Sequence, residues 1–205
     1  GFESYEAAVE PMPTTPLDEQ PRGDVMLYSS GTTGQPKGIK RPLSGRAIDD
    51  PGGQSISMLE RHLLGMDENS RYLSPAPLYH SAPLAWSTGV HELGATVVVM
   101  EKFDAEGFLA AVGEHGVTHT QVVPTMFVRM LKLKEDVRNA YDVSTLPSAA
   151  HAAAPCPVDL KHRMIEWWGP LICEDSPGTV GNGLTFLESS PWPAHARSVG
   201  YALAA

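Results

Sequence analysis

The chain has 205 residues, 42% of them hydrophobic and 19% charged, which is ordinary for a soluble globular protein of one domain or for a piece of a larger one. Its 24 acidic residues outnumber 15 basic ones, and the formal charge of −9 argues against nucleic acid as the main partner. Two cysteines, Cys156 and Cys173, make no disulfide framework, and no run approaches the ~20 apolar residues of a membrane helix. Residues 1–10 carry acidic side chains and no apolar core, so they do not read as a signal peptide, and a cytoplasmic enzyme is expected.

In chain order, residues 1–23 read as an acidic, proline-rich connector. Asp24 to Ser29 reads as a first strand. It empties into Tyr28-Ser-Ser-Gly-Thr-Thr-Gly-Gln-Pro-Lys-Gly38, which places three glycines, four small hydroxyl residues and a lysine within eleven positions. Such a loop suits phosphate oxygens, because glycines bring backbone N–H groups close, hydroxyls add donors and the lysine balances charge. It is not the common nucleotide P-loop, since Gly38 follows Lys37 and Pro42 comes soon after, which disfavours a helix starting on the lysine.

After a break at Asp49-Asp-Pro-Gly-Gly53, the apolar spacing predicts an amphipathic helix over Ser57 to Met66. Strands and helices then alternate. Arg71 to Ser74 reads as a strand, Ala82 to Leu93 as a helix, and the β-branched run Ala95 to Met100 as a buried strand. Asp104 to Glu114 is predicted helical with Asp104 as N-cap, Thr118 to Val123 a strand, and Thr125 to Leu133 a helix entered through Pro124. Ser148 to Ala152, Val158 to Trp168 and Leu171 to Cys173 read strand, helix, strand. This alternation predicts an α/β fold, layered, with a largely parallel sheet flanked by helices. Ligands in such sheets bind beyond the carboxyl ends of strands, where Ser29, His80, Pro124, Ala152 and the loop after Cys173 are expected. No histidine and cysteine cluster that would hold a zinc ion is expected. Gly116 interrupts any helix that would align His115 with His119, and the cysteine spacing fits no ligand pattern.

The Ser-Gly-Thr-Thr-Gly-x-Pro-Lys-Gly pattern resembles the phosphate loop of the adenylate-forming (AMP-binding) superfamily, which includes the acyl-CoA synthetases. Ala76-Pro-Leu-Tyr-His-Ser-Ala-Pro-Leu84, His119 to Phe127, His151-Ala-Ala-Ala-Pro-Cys-Pro157, Met164 to Gly169, Gly181-Asn-Gly183 and Ser198-Val-Gly200 resemble later segments of its fatty-acid–CoA ligase branch. The resemblance covers nearly everything from Asp24 to Gly200. It implies that residues 24–205 are the central part of the family's large domain. The C-terminal lid domain is expected to follow beyond Ala205.

That resemblance implies a ligase that activates a fatty or other apolar carboxylic acid with ATP and Mg²⁺ as acyl-adenylate, then transfers the acyl group to coenzyme A. Ser29, Ser30, Gly31, Thr32, Thr33, Gly34 and Lys37 would hold the phosphates, with Thr32, Lys37 and Thr179 catalytic. Ala152, Ala153, Ala154 and Pro155 would lie against the adenine, and His80 and Gly181 near the acyl group. Leu78, Ala82, Leu84 and Trp86 would make that neighbourhood apolar, whereas Trp167-Trp168 reads as core. The family's aromatic-Gly-x-Thr-Glu signature is altered here. Ser176 replaces the adenine-stacking aromatic, Pro177 the glycine and Val180 the Mg²⁺-binding glutamate, while Thr179 is retained. Valine offers no oxygen to a hard cation, and only a shifted register could bring in Glu174 or Asp175. The rival readings are a non-catalytic remnant that at most binds nucleotide, and a structural or partner-binding α/β fragment.

Overall fold

The structure is a computed structural model that describes residues 2–28, 34–50, 55–152, 154–177, 184–188, 198 and 200–202. The chain divides into two compact units, Gly1–Pro51 and Gly52–Ala205.

In the first unit, a short helix α1 (Tyr5–Val9) begins at Ser4, whose hydroxyl accepts from the Ala7 amide. Strands β1 (Met26–Tyr28) and β2 (Gly38–Lys40) pair antiparallel, with Met26 opposite Lys40 and Tyr28 opposite Gly38. The predicted first strand is therefore shorter and joins a two-stranded ladder rather than the parallel sheet. Only nine positions separate the two strands, too few for the crossover that a parallel pair needs. Gly38 suits this pairing, since a Cβ there would meet the Met26 and Tyr28 side chains. Farther along, Arg22 donates to the carbonyls of Ile48 and Asp50, both at 2.9 Å, and a bridge joins Pro21 to Ala47. No described residue of this unit is buried.

The second unit contains helix α2 (Ser55–Leu64), β3 (Arg71–Ser74), α3 (Ser81–Glu92), β4 (Thr96–Val99), α4 (Ala105–His115), β5 (His119–Val122) and α5 (Pro124–Leu131). There follow α6 (Glu135–Asn139), β6 (Ser148–His151), α7 (Val158–Trp168), β7 (Ile172–Pro177), β8 (Leu184–Leu187) and β9 (Tyr201–Ala202). Among the described residues seven strands form one sheet in the order β4-β3-β5-β6-β7-β8-β9. The first five of these run parallel, and β8 and β9 are antiparallel additions. This is the layered, largely parallel α/β fold that the alternation predicts.

Local chemistry explains the element ends. The Asp104 carboxylate accepts from the Gly107 amide at 2.8 Å, capping α4 as predicted. Gly116 ends that helix at φ +56°, a left-handed conformation that costs a residue with a Cβ more than it costs glycine. Pro124 opens α5, where its missing N–H is no loss.

Side-chain alternation assigns the two faces of the sheet. Leu73, Val122, Ala149 and Ile172 point toward α4, α5 and α7, where the Trp168 ring stacks 6.2 Å from Phe108 and meets Phe127 edge-on at 6.0 Å. Tyr72, Ala150 and Cys173 point the other way, into a second cluster with Leu59, Trp86 and Val90 of α2 and α3. Trp168 is thus core, as read. Two expectations change. Strand β4 lies at the sheet edge with Val99 about half exposed, because its β-branched run pairs only with β3 among the described strands. Strand β7 runs past Cys173 to Pro177, since β8 pairs with it from Glu174 onward and turns the expected loop into ladder.

Candidate functional site

The parallel strands deliver their carboxyl ends to one edge of the sheet, and among the described residues the segments leaving β3 and β6 carry His80, Ala152, Ala154 and Pro155. Beyond β3 the chain passes through Pro75–Tyr79 to His80, which is the N-cap of α3. The His80 ring is exposed and lies 4.7 Å from that of Tyr79, so it is not a satisfied core histidine at a strand end. Beyond β6, Ala152 is buried and its amide donates to the Val122 carbonyl at 3.3 Å, while Ala154 and Pro155 are exposed. Of the expected apolar neighbours of His80, Leu78 and Leu84 are partly exposed. Trp86 instead turns inward to stack on Tyr72 with ring centres 5.9 Å apart, because its helix buries that stripe against the sheet.

In the first unit, Gly34 and Lys37 are exposed on the connection between β1 and β2. Ser29, Ser30, Gly31, Thr32, Thr33, Ala153, Thr179 and Gly181 lie outside the described residues, as does Val180.

The carboxyl edge carries buried polar groups on both faces, of which the sequence reading singled out Glu174 and Asp175, as carboxylates for a shifted register, but not Lys161, Glu60, Ser74 or Gln121. On the α7 side, Lys161 Nζ donates to Glu174 Oε2 at 2.9 Å, with the lysine side chain fully buried. His151 is buried beside them, its Nε2 3.4 Å from the same carboxylate oxygen and its ring edge-on to Phe127 at 5.8 Å. Burial, reinforced by the Lys161 charge, pushes the His151 pKa down to about 3. The histidine is therefore neutral at physiological pH, and Lys161–Glu174 is the ion pair of this cluster. The signal in the sequence is the position of Lys161. It stands three residues before Met164 and seven before Trp168, on the buried stripe of its helix.

On the α2/α3 side lie Glu60, Ser74, Gln121 and Asp175. All are buried, and each carries at least one oxygen or nitrogen without a hydrogen-bond partner. Burial raises the Asp175 carboxyl to about 7. It also raises that of Glu60 to about 9, with the Glu92 charge adding to the effect. The Glu60 carboxyl packs against Gly89 of α3, where an added Cβ would collide with it. Ser57 of α2 also donates to Glu92 of α3 at 2.7 Å.

These contacts bear on Mg²⁺. Glu174 faces Lys161 on one side of the sheet, and Asp175 is buried on the other with its carboxyl near neutral. Glu174 is thus held by a cation, and Asp175 is buried and ionised only in part at pH 7. The carboxylates described do not fit a magnesium site. At the opposite edge, a cavity of about 220 Å³ opens between the amino ends of β6 and β7, lined by Leu63, Pro147, Cys173 and Phe186, far from the segments above.

A largely parallel sheet with helices on both faces defines a layered α/β protein. The family described as AMP-binding enzyme matches residues 3–192, and the chain belongs to that family. It is 32% identical over 183 residues to 4-coumarate–CoA ligase 5 of Oryza sativa subsp. japonica, a match covering 88% of this chain and 31% of the relative. It is 31% identical over 179 residues to 4-hydroxybutyrate–CoA ligase 2 of Metallosphaera sedula, covering 80% of this chain and 31% of that protein. A 30% identical match to 4-coumarate–CoA ligase-like 2 of Arabidopsis thaliana covers 69% of this chain and 24% of the relative. The chain thus spans about a quarter to a third of these relatives' length.

Among solved structures, the o-succinylbenzoate coenzyme A synthetase of Bacillus subtilis in complex with ATP and magnesium ion superposes with a TM-score of 0.70 at 22% identity. That match covers 87% of this chain and 35% of the other. The amide bond synthetase McbA of Marinactinospora thermotolerans gives 0.67 at 22% identity, covering 87% and 34%. At such identities the likeness is one of fold. No described helix is long and apolar enough to cross a membrane.

Proposed function

We propose that this chain is part of an acid–CoA ligase that activates a fatty or other apolar carboxylic acid. The carboxylate attacks the α-phosphorus of ATP, pyrophosphate leaves, and the thiol of coenzyme A then displaces AMP from the acyl-adenylate. Such chemistry depends mainly on positioning and on stabilising charge. The supporting observation is the intact loop Tyr28–Gly38 in a member of the AMP-binding family whose named relatives are CoA ligases of varied acids. In this reading Ser29, Ser30, Gly31, Thr32, Thr33, Gly34 and Lys37 hold the phosphates, and Thr32, Lys37 and Thr179 act at the reacting centre. Ala152 to Pro155 border the adenine, and His80 and Gly181 the acyl group.

A second reading is favoured by Ser176, Pro177 and Val180 and by the Lys161–Glu174 pair. In it, this polypeptide binds nucleotide and performs little chemistry. Acid-dependent exchange of labelled pyrophosphate into ATP by the full-length protein separates the two, exchange above background supporting the ligase. The chain is expected to exchange at or near background, and Val180→Glu with Ser176→Tyr to bind Mg·ATP about tenfold tighter by calorimetry. No gain from those substitutions means the altered signature is not what limits the site.

A further inference from the structure

Strands β6 and β7 end side by side at the carboxyl edge, with His151 opposite Glu174 in their ladder. Both side chains point to the α7 side. There Lys161 Nζ lies 2.9 Å from Glu174 Oε2, and His151 Nε2 stands 3.4 Å from the same oxygen. One carboxylate therefore joins β6, β7 and α7. The segment that runs from β6 to α7, residues 152–157, has this cluster at both of its ends. His151 immediately precedes it, and Lys161 is the fourth residue of the helix that follows.

The segment's own backbone offers few bonds to hold it. Pro155 and Pro157 carry no N–H to donate, and Pro157, the N-cap of α7, makes no side-chain bond to the first turn. At the upstream end the Ala152 amide donates to the Val122 carbonyl at 3.3 Å. At the downstream end the Lys161 amide donates to the Pro157 carbonyl at 3.0 Å. Between these points Cys156 packs half-buried against the core. Its thiol, pushed up to about 11 chiefly by burial, lies within the fields of both Lys161 and Glu174. The segment thus rests on the ion pair.

A buried ion pair often contributes no more stability than well-packed apolar groups of the same volume. What it adds is direction, because an ammonium and a carboxylate hold each other at a defined distance and angle and apolar side chains do not. Here that direction is fixed between the exit of β6, the end of β7 and the start of α7. We propose that Lys161 and Glu174, with His151 packed beside them, are positioning residues that hold Ala152–Pro155 in the arrangement that takes the adenine ring of the nucleotide.

This rests on the reading that sets that segment against the adenine, and it adds residues that act on the nucleotide without touching it. Ala154 and Pro155 are exposed, so slippage at either end of the segment displaces the atoms that face a ligand. A surface that hydrogen-bonds one base leaves groups unpaired against another, and this discrimination is lost first when the surface moves.

The test is calorimetric titration of the 205-residue chain with AMP and with GMP, which share ribose and phosphate and differ in the base. The unaltered chain is expected to bind AMP at least about tenfold tighter than GMP. Lys161→Met with Glu174→Leu, which fills the space without charge, should bring that ratio to within about threefold. Lys161→Arg with Glu174→Asp, which keeps an ion pair of similar total reach, should preserve most of it. Circular dichroism and urea unfolding confirm each fold, and a purely structural role would leave base preference unmoved. An unchanged ratio in the apolar variant, or an equal loss in a folded Arg–Asp variant, overturns the positioning role and leaves the ligase reading standing. Equal affinities for AMP and GMP in the unaltered chain, or no binding of either, overturn the adenine assignment and this proposal with it.

Discussion

Lys161→Met is expected to destabilise the second unit by about 3–5 kcal/mol, the largest loss anticipated from one surface-neutral change. The lysine is fully buried, and its ammonium is 2.9 Å from Glu174 Oε2. Removing it strands a carboxylate beside a neutral His151 in a region walled by Phe127 and Met164. Lys161 makes further contacts of its own, so the loss is not confined to one pair. The double change Lys161→Met with Glu174→Leu should recover most of the stability, because a buried ion pair often contributes no more than well-packed apolar groups of similar volume. Urea unfolding of the three variants checks this. A single variant within 1 kcal/mol of the parent would mean that solvent reaches Glu174.

Stability is also expected to fall as pH rises from 7 to 9, by about 1.4 kcal/mol per unit from Glu60 alone. Its carboxyl, raised to about 9 against 4.5 for an unperturbed group, keeps its proton in the folded chain while the unfolded chain has already lost it. The unfolded state therefore binds fewer protons across that window, and unfolding is favoured as pH increases. Asp175, raised from 3.8 to about 7, acts in the same direction but is complete by pH 7. His151, lowered from 6.5 to about 3, acts oppositely. Its stabilising contribution is present above 6.5 and is lost as pH falls toward 3. The groups facing Glu60 are Glu92 on α3 and Tyr72 on β3. Glu60→Gln keeps the shape against Gly89 and carries no proton to lose, so it should flatten the slope between pH 7 and 9. Urea unfolding at three pH values suffices, and an undiminished slope would assign the effect to another group.

The fold was legible because its signals are local. The β-branched and apolar runs at Arg71–Ser74 and Thr96–Val99, the Asp104 cap and Pro124 each mark an element without reference to the rest of the chain. What depended on pairing was not. The end of β7 is set by β8, and the exposure of β4 by what lies beside it, neither of which a strand's own residues reveal. Helix α6 has five residues and buries none of them, so it leaves no periodic trace.

The buried charges were missed for another reason. Lys161 and Glu60 each lie within a predicted helix, where a charged residue ordinarily faces solvent. Yet Glu60 stands four residues after Ile56 and four before Leu64, inside the apolar stripe of α2. A charge in that position needs a partner or a shifted pKa, and these two residues show one case of each. The Tyr28–Gly38 motif stands out for the opposite reason. Its glycines, hydroxyls and lysine sit together in eleven consecutive positions and need no tertiary contact to be recognised.

That loop carries the functional account. Calorimetric titration of ATP into the 205-residue chain and into Lys37→Ala tests it most directly. The account predicts saturable ATP binding by the unaltered chain that weakens at least about tenfold when the lysine is removed. Equal dissociation constants for the two proteins, or no ATP binding by the unaltered chain, would contradict it.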